Sequence, residues 1–368
     1  MVRRQKIREV RFPCGNCGAL QTYNAGTDSL HCEYCGHDTA IPTDSLGEIR
    51  EIPFKAALKD LEKTAPVTTR FSVQCENCAA RFNFEENIHA GACPFCGTPV
   101  VISSADSRPI LPRSLVPFRI KAEEAEKRFA EWLAGLWFAP GRLKKAGGDT
   151  RRVAGIYIPY WTYDSRTETT YTGERGDAYQ VPQQVVVVEN GRRVTRTRMV
   201  TRVRWTRVSG RVSRFFDDVL VGAGKTLPRI ITDQLSPWHL EEQRPFNEAY
   251  LSGYRSELYE VRLDEGFDIA LNIMDGVIRA DIARDIGGDF QRIHHLDTRH
   301  HRITYKHILL PVYSSAFTFG GKTYRFVING QTGKVRGERP YSPWKITFAV
   351  LTVAVVAAIV VWLRANLR

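Results

Sequence analysis

Along the chain the apolar positions change period several times, and each change predicts a different element. Ile346–Leu363 is an 18-residue run with no charge and two threonines. As a helix it spans about 27 Å, against a bilayer core of about 30 Å. Tyr341, Trp344 and Trp362 fall where interfacial aromatics belong, and Lys345 and Arg364 bracket the run. Residues 345–364 are therefore expected to be a transmembrane tail anchor, with 346–363 in the lipid bilayer. Helical spacing recurs in Phe54, Ala57, Leu58 and Leu61, in Ala122, Ala125, Phe129, Trp132, Leu133 and Leu136, and in Phe267, Ala270, Met274, Val277 and Ile278. Pro140-Gly141 and Gly287-Gly288 stop the second and third of these helices.

Strand-like runs surround the two longer helices. Ser114–Ile120 precedes the first, and Gly155–Tyr163 and Thr167–Tyr171 follow it. Leu258–Leu263 precedes the second, and His307–Tyr313 follows, with a hairpin in which Gly320-Gly321 joins Ala316–Phe319 to Thr323–Ile328. Asn329-Gly330 begins another turn. Ile158-Pro-Tyr-Trp161 and Leu310-Pro-Val-Tyr313 take the same place in each half. Residues 114–340 are read as an α+β cytosolic domain of two degenerate β-α-β-β units.

The first unit carries an insertion near 183–208. Gln183–Glu189 meets Arg192 onwards across Asn190-Gly191, a two-residue hairpin signal. Alternation puts Arg196, Arg198, Arg202 and Arg204 on one face of the return strand. That face can grip phosphates or an acidic protein edge, or can be solvated and discourage edge pairing.

Composition narrows the class. The 368 residues are 43% hydrophobic and 25% charged, which is globular and excludes wholesale disorder. A net charge of +12 and a pI near 9.4 favour acidic partners, and a mean hydropathy of −0.29 excludes a polytopic membrane protein. The first 13 residues hold charges but no apolar core of a secretory signal.

The eight cysteines form two sets, Cys14-x2-Cys17 with Cys32-x2-Cys35, and Cys75-x2-Cys78 with Cys93-x2-Cys96. The second set repeats the first at an offset of 61 positions, as do Asn16 and Asn77, Tyr23 and Phe84, and Gly36 and Gly97. Two Cys-x2-Cys turns close a tetrahedron around Zn²⁺, and four thiolates leave no open position, so each metal is structural. Modules this small cannot bury a core, and the metal supplies folding energy. Disulfides, redox Cys-x-x-Cys chemistry and iron are the weaker readings of the same thiols. The expected organisation is zinc ribbon 1 over 1–42, a helical connector over 43–70, zinc ribbon 2 over 71–103 and a linker over 104–113.

Other motifs lead nowhere firm. Val221-Gly-Ala-Gly-Lys-Thr226 ends like a phosphate-binding loop, but Val219 stands where its first glycine is needed. His294, His295, His300, His301 and His307 gather in what reads as a polar loop, at spacings that match no metal motif. No carboxylate pair or nucleophile motif suggests catalysis, and the chain is expected not to be an enzyme.

The sequence resembles a bacterial family of tandem zinc-ribbon proteins with a C-terminal membrane span. The likeness is carried by the ribbons, Ile158–Tyr163, Arg211–Val219, Asp285–Asp289, Lys306–Val312 and Asn329–Gly333. Members are often labelled primosomal protein N-prime (replication factor Y), a helicase with tandem Cys-x2-Cys zinc sites. This chain lacks a Walker motif and room for two motor domains, so helicase activity is not expected. The resemblance loosely implies association with membrane scaffold proteins and envelope-stress systems. The expected function is a non-enzymatic adaptor at the bacterial cytoplasmic membrane, single-pass with its bulk in the cytosol, binding a membrane-associated protein. A membrane-tethered nucleic-acid binder is the alternative.

Overall fold

The computed structural model describes residues 9–42, 49–62, 72–74, 81–83, 88–92, 98–102, 110–141, 143, 153–189, 192–224, 227 and 229–366. The first hundred residues supply short strands: β1 (Glu9–Val10), β2 (Thr22–Tyr23), β3 (Ser29–His31), β4 (Asp38–Ala40) and β5 (Ile52–Pro53). Helix α1 (Phe54–Glu62) follows, then β6 (Ser72–Gln74), β7 (Arg81–Asn83), β8 (Ile88–Ala92) and β9 (Pro99–Ile102). The body continues with β10 (Ser114–Leu115), α2 (Ala122–Gly135), β11 (Ala154–Glu189), β12 (Arg192–Gly222) and the single turn α3 (Arg229–Thr232). It closes with β13 (Arg244–Pro245), β14 (Arg255–Glu257), α4 (Leu263–Ile286), β15 (Phe290–Phe319), β16 (Lys322–Asn329), β17 (Val335–Gly337) and α5 (Pro343–Asn366).

Three long antiparallel strands dominate. β15 pairs β11 from Ala154↔Ser314 to Gly176↔Phe290, and β12 runs along the other side of β11 from Tyr160↔Gly222 to Glu189↔Arg192. β10 joins β15 in parallel and β14 joins β11 in parallel, each preceding one of the two longer body helices. The result is a mixed α/β body around a 12-stranded sheet.

Both faces of the sheet centre are covered, which explains its unbroken apolar runs. Ile156, Ile158 and Tyr160 pack with Ile308, Leu310 and Val312 against Ile231 and Leu235 on one face. On the other, Phe129 and Leu133 of α2 share a cluster with Tyr157, Leu309 and Phe326. Farther along, Trp161, Tyr163 and Tyr171 meet Ala270, Met274, Ile278, Ile282 and Ile286 of α4, with Phe54 of α1 beside them.

Several expected strands differ. The breaks expected between Tyr163 and Thr167 do not occur, because register shifts at Tyr163/Ser165 and Asp164/Arg166 absorb the polar residues as a bulge without ending the ladder. The stretch 294–307 is not a loop but part of β15; its outward residues are polar because that face meets solvent. Leu258–Leu263 forms no strand: pairing stops at Glu257, and the amides of Glu260 and Val261 instead bond the Ala223 carbonyl. Only Ser114–Leu115 of the run to Ile120 enters the ladder.

α5 includes Pro343–Arg364, a stretch long and apolar enough to cross a membrane, with none of its apolar window buried. The 103–109 stretch, much of the connector and the Asn190-Gly191 turn lie outside the described residues.

Candidate functional site

The four cysteines of the first set lie on two turns built alike. Cys14 N donates to Ala19 O (2.7 Å) and Gly18 N to Cys14 O (2.8 Å); Cys32 N donates to His37 O (3.0 Å) and Gly36 N to Cys32 O (2.8 Å). Gly18 and Gly36 sit at φ 78° and 71°, a conformation that a side chain disfavours. The turns bring all four sulfurs within 4.8 Å of one another. Cys14 Sγ lies 3.6 Å from Cys35 Sγ, and Cys17 Sγ lies 3.5 Å from Cys32 Sγ. A tetrahedron with metal–sulfur bonds of about 2.3 Å has edges of about 3.8 Å, so the spacing fits a metal ion.

The four sulfurs also lie close enough to oppose one another's ionisation. Cys35 is pulled down to about 6, first by the His37 amide and then by the Asn16 side chain. Cys17 is pushed up to about 12: the Ala19 amide favours its thiolate, but desolvation and the three neighbouring sulfurs prevail. A metal relieves that conflict by neutralising the charge. All four cysteines are free thiols.

This module is fastened to the body. Tyr23 N donates to Ser252 O (2.9 Å), Ser252 Oγ to Gln21 O (2.7 Å) and Gly26 N to Phe118 O (2.8 Å). Asp28 accepts from Tyr250 Oη (3.0 Å) and Arg244 (3.2 Å). Tyr23, Leu30 and Ile41 enter the same cluster as Phe118 and Tyr250.

Cys75, Cys78, Cys93 and Cys96 lie outside the described residues. Their flanking strands are described, and the register is that of the first module moved by 61 positions. Ser29↔Ala40, Leu30↔Thr39 and His31↔Asp38 become Ala90↔Val101, Gly91↔Val100 and Ala92↔Pro99. Pro13↔Leu20 becomes Gln74↔Arg81.

The arginine strand is the first part of β12. Beyond Gly176 β15 no longer pairs, and β11 and β12 continue as a two-stranded ribbon bonded in register to each other. About twelve residue pairs at roughly 3.3 Å each carry it some 40 Å past the third strand. Arg196, Arg198, Arg202 and Arg204 are exposed and stand opposite Val185, Gln183, Tyr179 and Asp177, on one face. At its base Arg292 stacks on Trp205 at 3.8 Å, and Asp289 accepts from Ala178 N at 2.7 Å.

The histidines are dispersed along β15. His300 meets Ser165 Oγ at 3.1 Å, His294 faces Glu174 at 3.5 Å, and His307 is buried with Nδ1 3.2 Å from Ile110 O. None of them joins a metal-holding group among the described residues.

A second cluster was missed in the sequence. Glu51, Asp164 and Asp217 bring carboxylate oxygens within 4.8 Å of one another at the bulge. Buried Lys306 reaches Asp218 Oδ1 at 2.8 Å and Glu51 at 3.5 Å. Asp164 accepts from Asp218 N (2.6 Å) and Thr304 Oγ1 (2.9 Å). Its burial, with Glu51 adjacent, pushes its carboxyl up to about 6. Burial works against ionised Glu51 as well, but hydrogen bonds with Asp164 and Thr304 and the Lys306 charge hold it below the usual range. The available signal was a lysine set in the apolar run Tyr305–Val312.

The chain is similar to the uncharacterized protein YdjG of Bacillus subtilis (strain 168), with 27% identity over 340 residues that cover 92% of each chain. No family model matches it, so the tandem-ribbon family label gains no support there. No solved structure matches it either.

Proposed function

We propose that this protein is a non-enzymatic adaptor, anchored in the bacterial cytoplasmic membrane by α5, that holds two structural zinc ribbons and presents the arginine ribbon to an acidic, membrane-associated protein. The observation that carries this reading is the ribbon itself. Four exposed arginines share one face with Tyr179 and Val185, so the surface combines charge with apolar anchors. Its strand edges are open, so an extended acidic segment can add alongside β12 and place carboxylates at alternate positions.

Further observations fit the reading. Zinc suits the four-sulfur cluster at Cys14, Cys17, Cys32 and Cys35, and the repeated strand register favours a second zinc at Cys75, Cys78, Cys93 and Cys96. The reciprocal parallel pairs β10–β15 and β14–β11 favour a body of two related units. The helix leaves the sheet beside β17, which pairs with β16, which pairs β15 opposite Ala154. The arginine ribbon lies at the other end of β11, which on this reading directs it away from the bilayer into the cytosol.

A second reading has one specific support: a two-stranded basic ribbon fits the major groove of a nucleic-acid duplex. One experiment separates the two. The tagged full-length chain and its Arg196→Ala, Arg198→Ala, Arg202→Ala, Arg204→Ala variant are extracted in mild detergent, with and without nuclease, and co-purifying material is quantified by mass spectrometry. The adaptor reading expects a stoichiometric protein that survives nuclease and drops at least tenfold in the variant. Nucleic acid in the eluate, with proteins lost on digestion and binding falling steeply with salt, would overturn it.

A further inference from the structure

The turn that follows α2 places two large aromatic side chains in solvent beside the root of α5. Trp137 is 78% exposed and Phe138 is 40% exposed. The rest of the chain treats tryptophan differently: Trp161 is fully buried, and Trp132, Trp205 and Trp238 are half-buried. The other exposed tryptophans are Trp344 and Trp362, both on α5.

The turn is clamped to the first turn of that helix by its backbone. Ser342 N donates to Phe138 O at 2.7 Å. Lys345 Nζ donates to Trp137 O at 3.1 Å and to Ala139 O at 2.8 Å. A lysine at the end of an apolar span ordinarily reaches for headgroups. Here its ammonium holds the carbonyls of Trp137 and Ala139 while Ser342 N holds that of Phe138 between them, so all three sit at the depth of the first turn of α5, at the margin of the span. The backbone of the turn is thus bonded to α5 while both aromatic side chains stay exposed. Tyr341 and Trp344 are exposed on the same margin, and Arg339 donates to Tyr341 Oη at 3.1 Å.

We propose that Trp137 and Phe138 form a second contact with the membrane, resting in the headgroup layer and seating the body on the lipid surface. This rests on the reading of α5 as a membrane span. Three considerations fix the occupant as lipid. The patch is continuous with the span. An exposed tryptophan has its most favourable position at a membrane–water interface, where an apolar ring and a polar N–H are both satisfied. Exposed Arg339 beside it complements anionic headgroups. The contact gives α5 a fixed angle to the sheet, so the arginine ribbon is held off the membrane at a set height instead of swinging on a single helix.

The test uses the full-length chain in vesicles of phosphatidylcholine and phosphatidylglycerol that carry a diazirine near the glycerol end of an acyl chain. After photolysis, lipid adducts are mapped by peptide mass spectrometry. The proposal expects adducts on Trp137 and Phe138 as well as within 343–366. A Trp137→Ser, Phe138→Ser variant should keep the adducts in α5 and lose those in the turn by at least fivefold. Adducts in 343–366 with none at 137–138 would overturn the proposal and leave the span intact. Absence of adducts from 343–366 would overturn the span, and the proposal with it.

Discussion

At Asp164 three other chain segments far apart in sequence converge, bringing Glu51, Asp217 with Asp218, and Thr304 with Lys306. Asp218 and Arg302 both take φ of 51°, in the left-handed region, on the two strands that flank the bulge. The carboxyl of Asp164 is 1% exposed and pushed up to about 6 by burial, while its partner Glu51 is held low. An unfolded aspartate ionises near 3.9, so between about pH 4 and pH 6 the unfolded chain holds fewer protons at this position than the native one. Native stability due to Asp164 therefore falls as pH rises through that window. Asp164→Asn keeps an oxygen for Asp218 N and cannot ionise. It should match the native chain near pH 4 and exceed its stability at pH 7.5 by on the order of 2 kcal/mol. Thermal unfolding across pH decides this; a variant less stable at pH 7.5 would refute it. A second residue prediction concerns Cys32, buried beneath the first pair of turns. If the proposed two-zinc assignment holds, Cys32→Ser should lower the bound metal from two equivalents per chain to one, read by elemental analysis. Unchanged metal content would sink the assignment.

The helices show where packing overrides local preference. Gly266 lies in the first turns of α4, where alanine would ordinarily gain about 1 kcal/mol. A Cβ there would run into the Tyr163 hydroxyl and come within 2.8 Å of Trp161 Cδ1. Both rings are pinned, Tyr163 Oη donating to Leu263 O at 2.7 Å and Trp161 Nε1 to Val261 O at 3.0 Å. Gly266→Ala should thus destabilise the chain by about 1–2 kcal/mol, the net of overpacking over propensity. A higher melting temperature would contradict this. The apolar stripe of α4 is legible in the sequence because Ala270, Met274 and Ile278 repeat at helical spacing over a long element. The full length of the long strands is not, since the polar Asp164–Arg166 and the histidine-rich stretch 294–307 read as breaks, whereas Pro159 and Pro311 fall inside runs already legible as strands. Each sits inside a ladder, its carbonyl accepting from Ala223 N (2.9 Å) and Gly330 N (2.8 Å). The cysteine pairs announce a metal cluster because ligand spacing is local. The Glu51–Asp164–Lys306 cluster is silent because only strand pairing brings its members together.

Across the whole molecule the sheet divides labour along its length, and the division makes the arginine ribbon removable. Up to Gly176 each pair of β11 and β12 is buttressed by β15 or α4; past it the two strands are bonded in register to one another. The native ribbon ends at the pair Glu189↔Arg192 with Asn190-Gly191 between, and its base holds the pair Asp177↔Arg204. These pairs are twelve residues apart on each strand, an even step, and no register shift intervenes. The hydrogen-bonding type of the closing pair is therefore preserved. Replacing residues 178–203 by Asn-Gly should close the hairpin at Asp177 and Arg204 with the same turn chemistry. Because Trp205, Arg292 and Phe290 are retained, the body should keep its stability to within about 0.5 kcal/mol and its full metal content. The shortened chain should also aggregate less, having lost a long open edge that carries exposed Val186 and Met199. Partner recovery should fall to the level of the four-arginine variant. A shortened chain that unfolds at markedly lower temperature would mean that the ribbon belongs to the fold; one that folds and still recovers the partner would place docking elsewhere on the body.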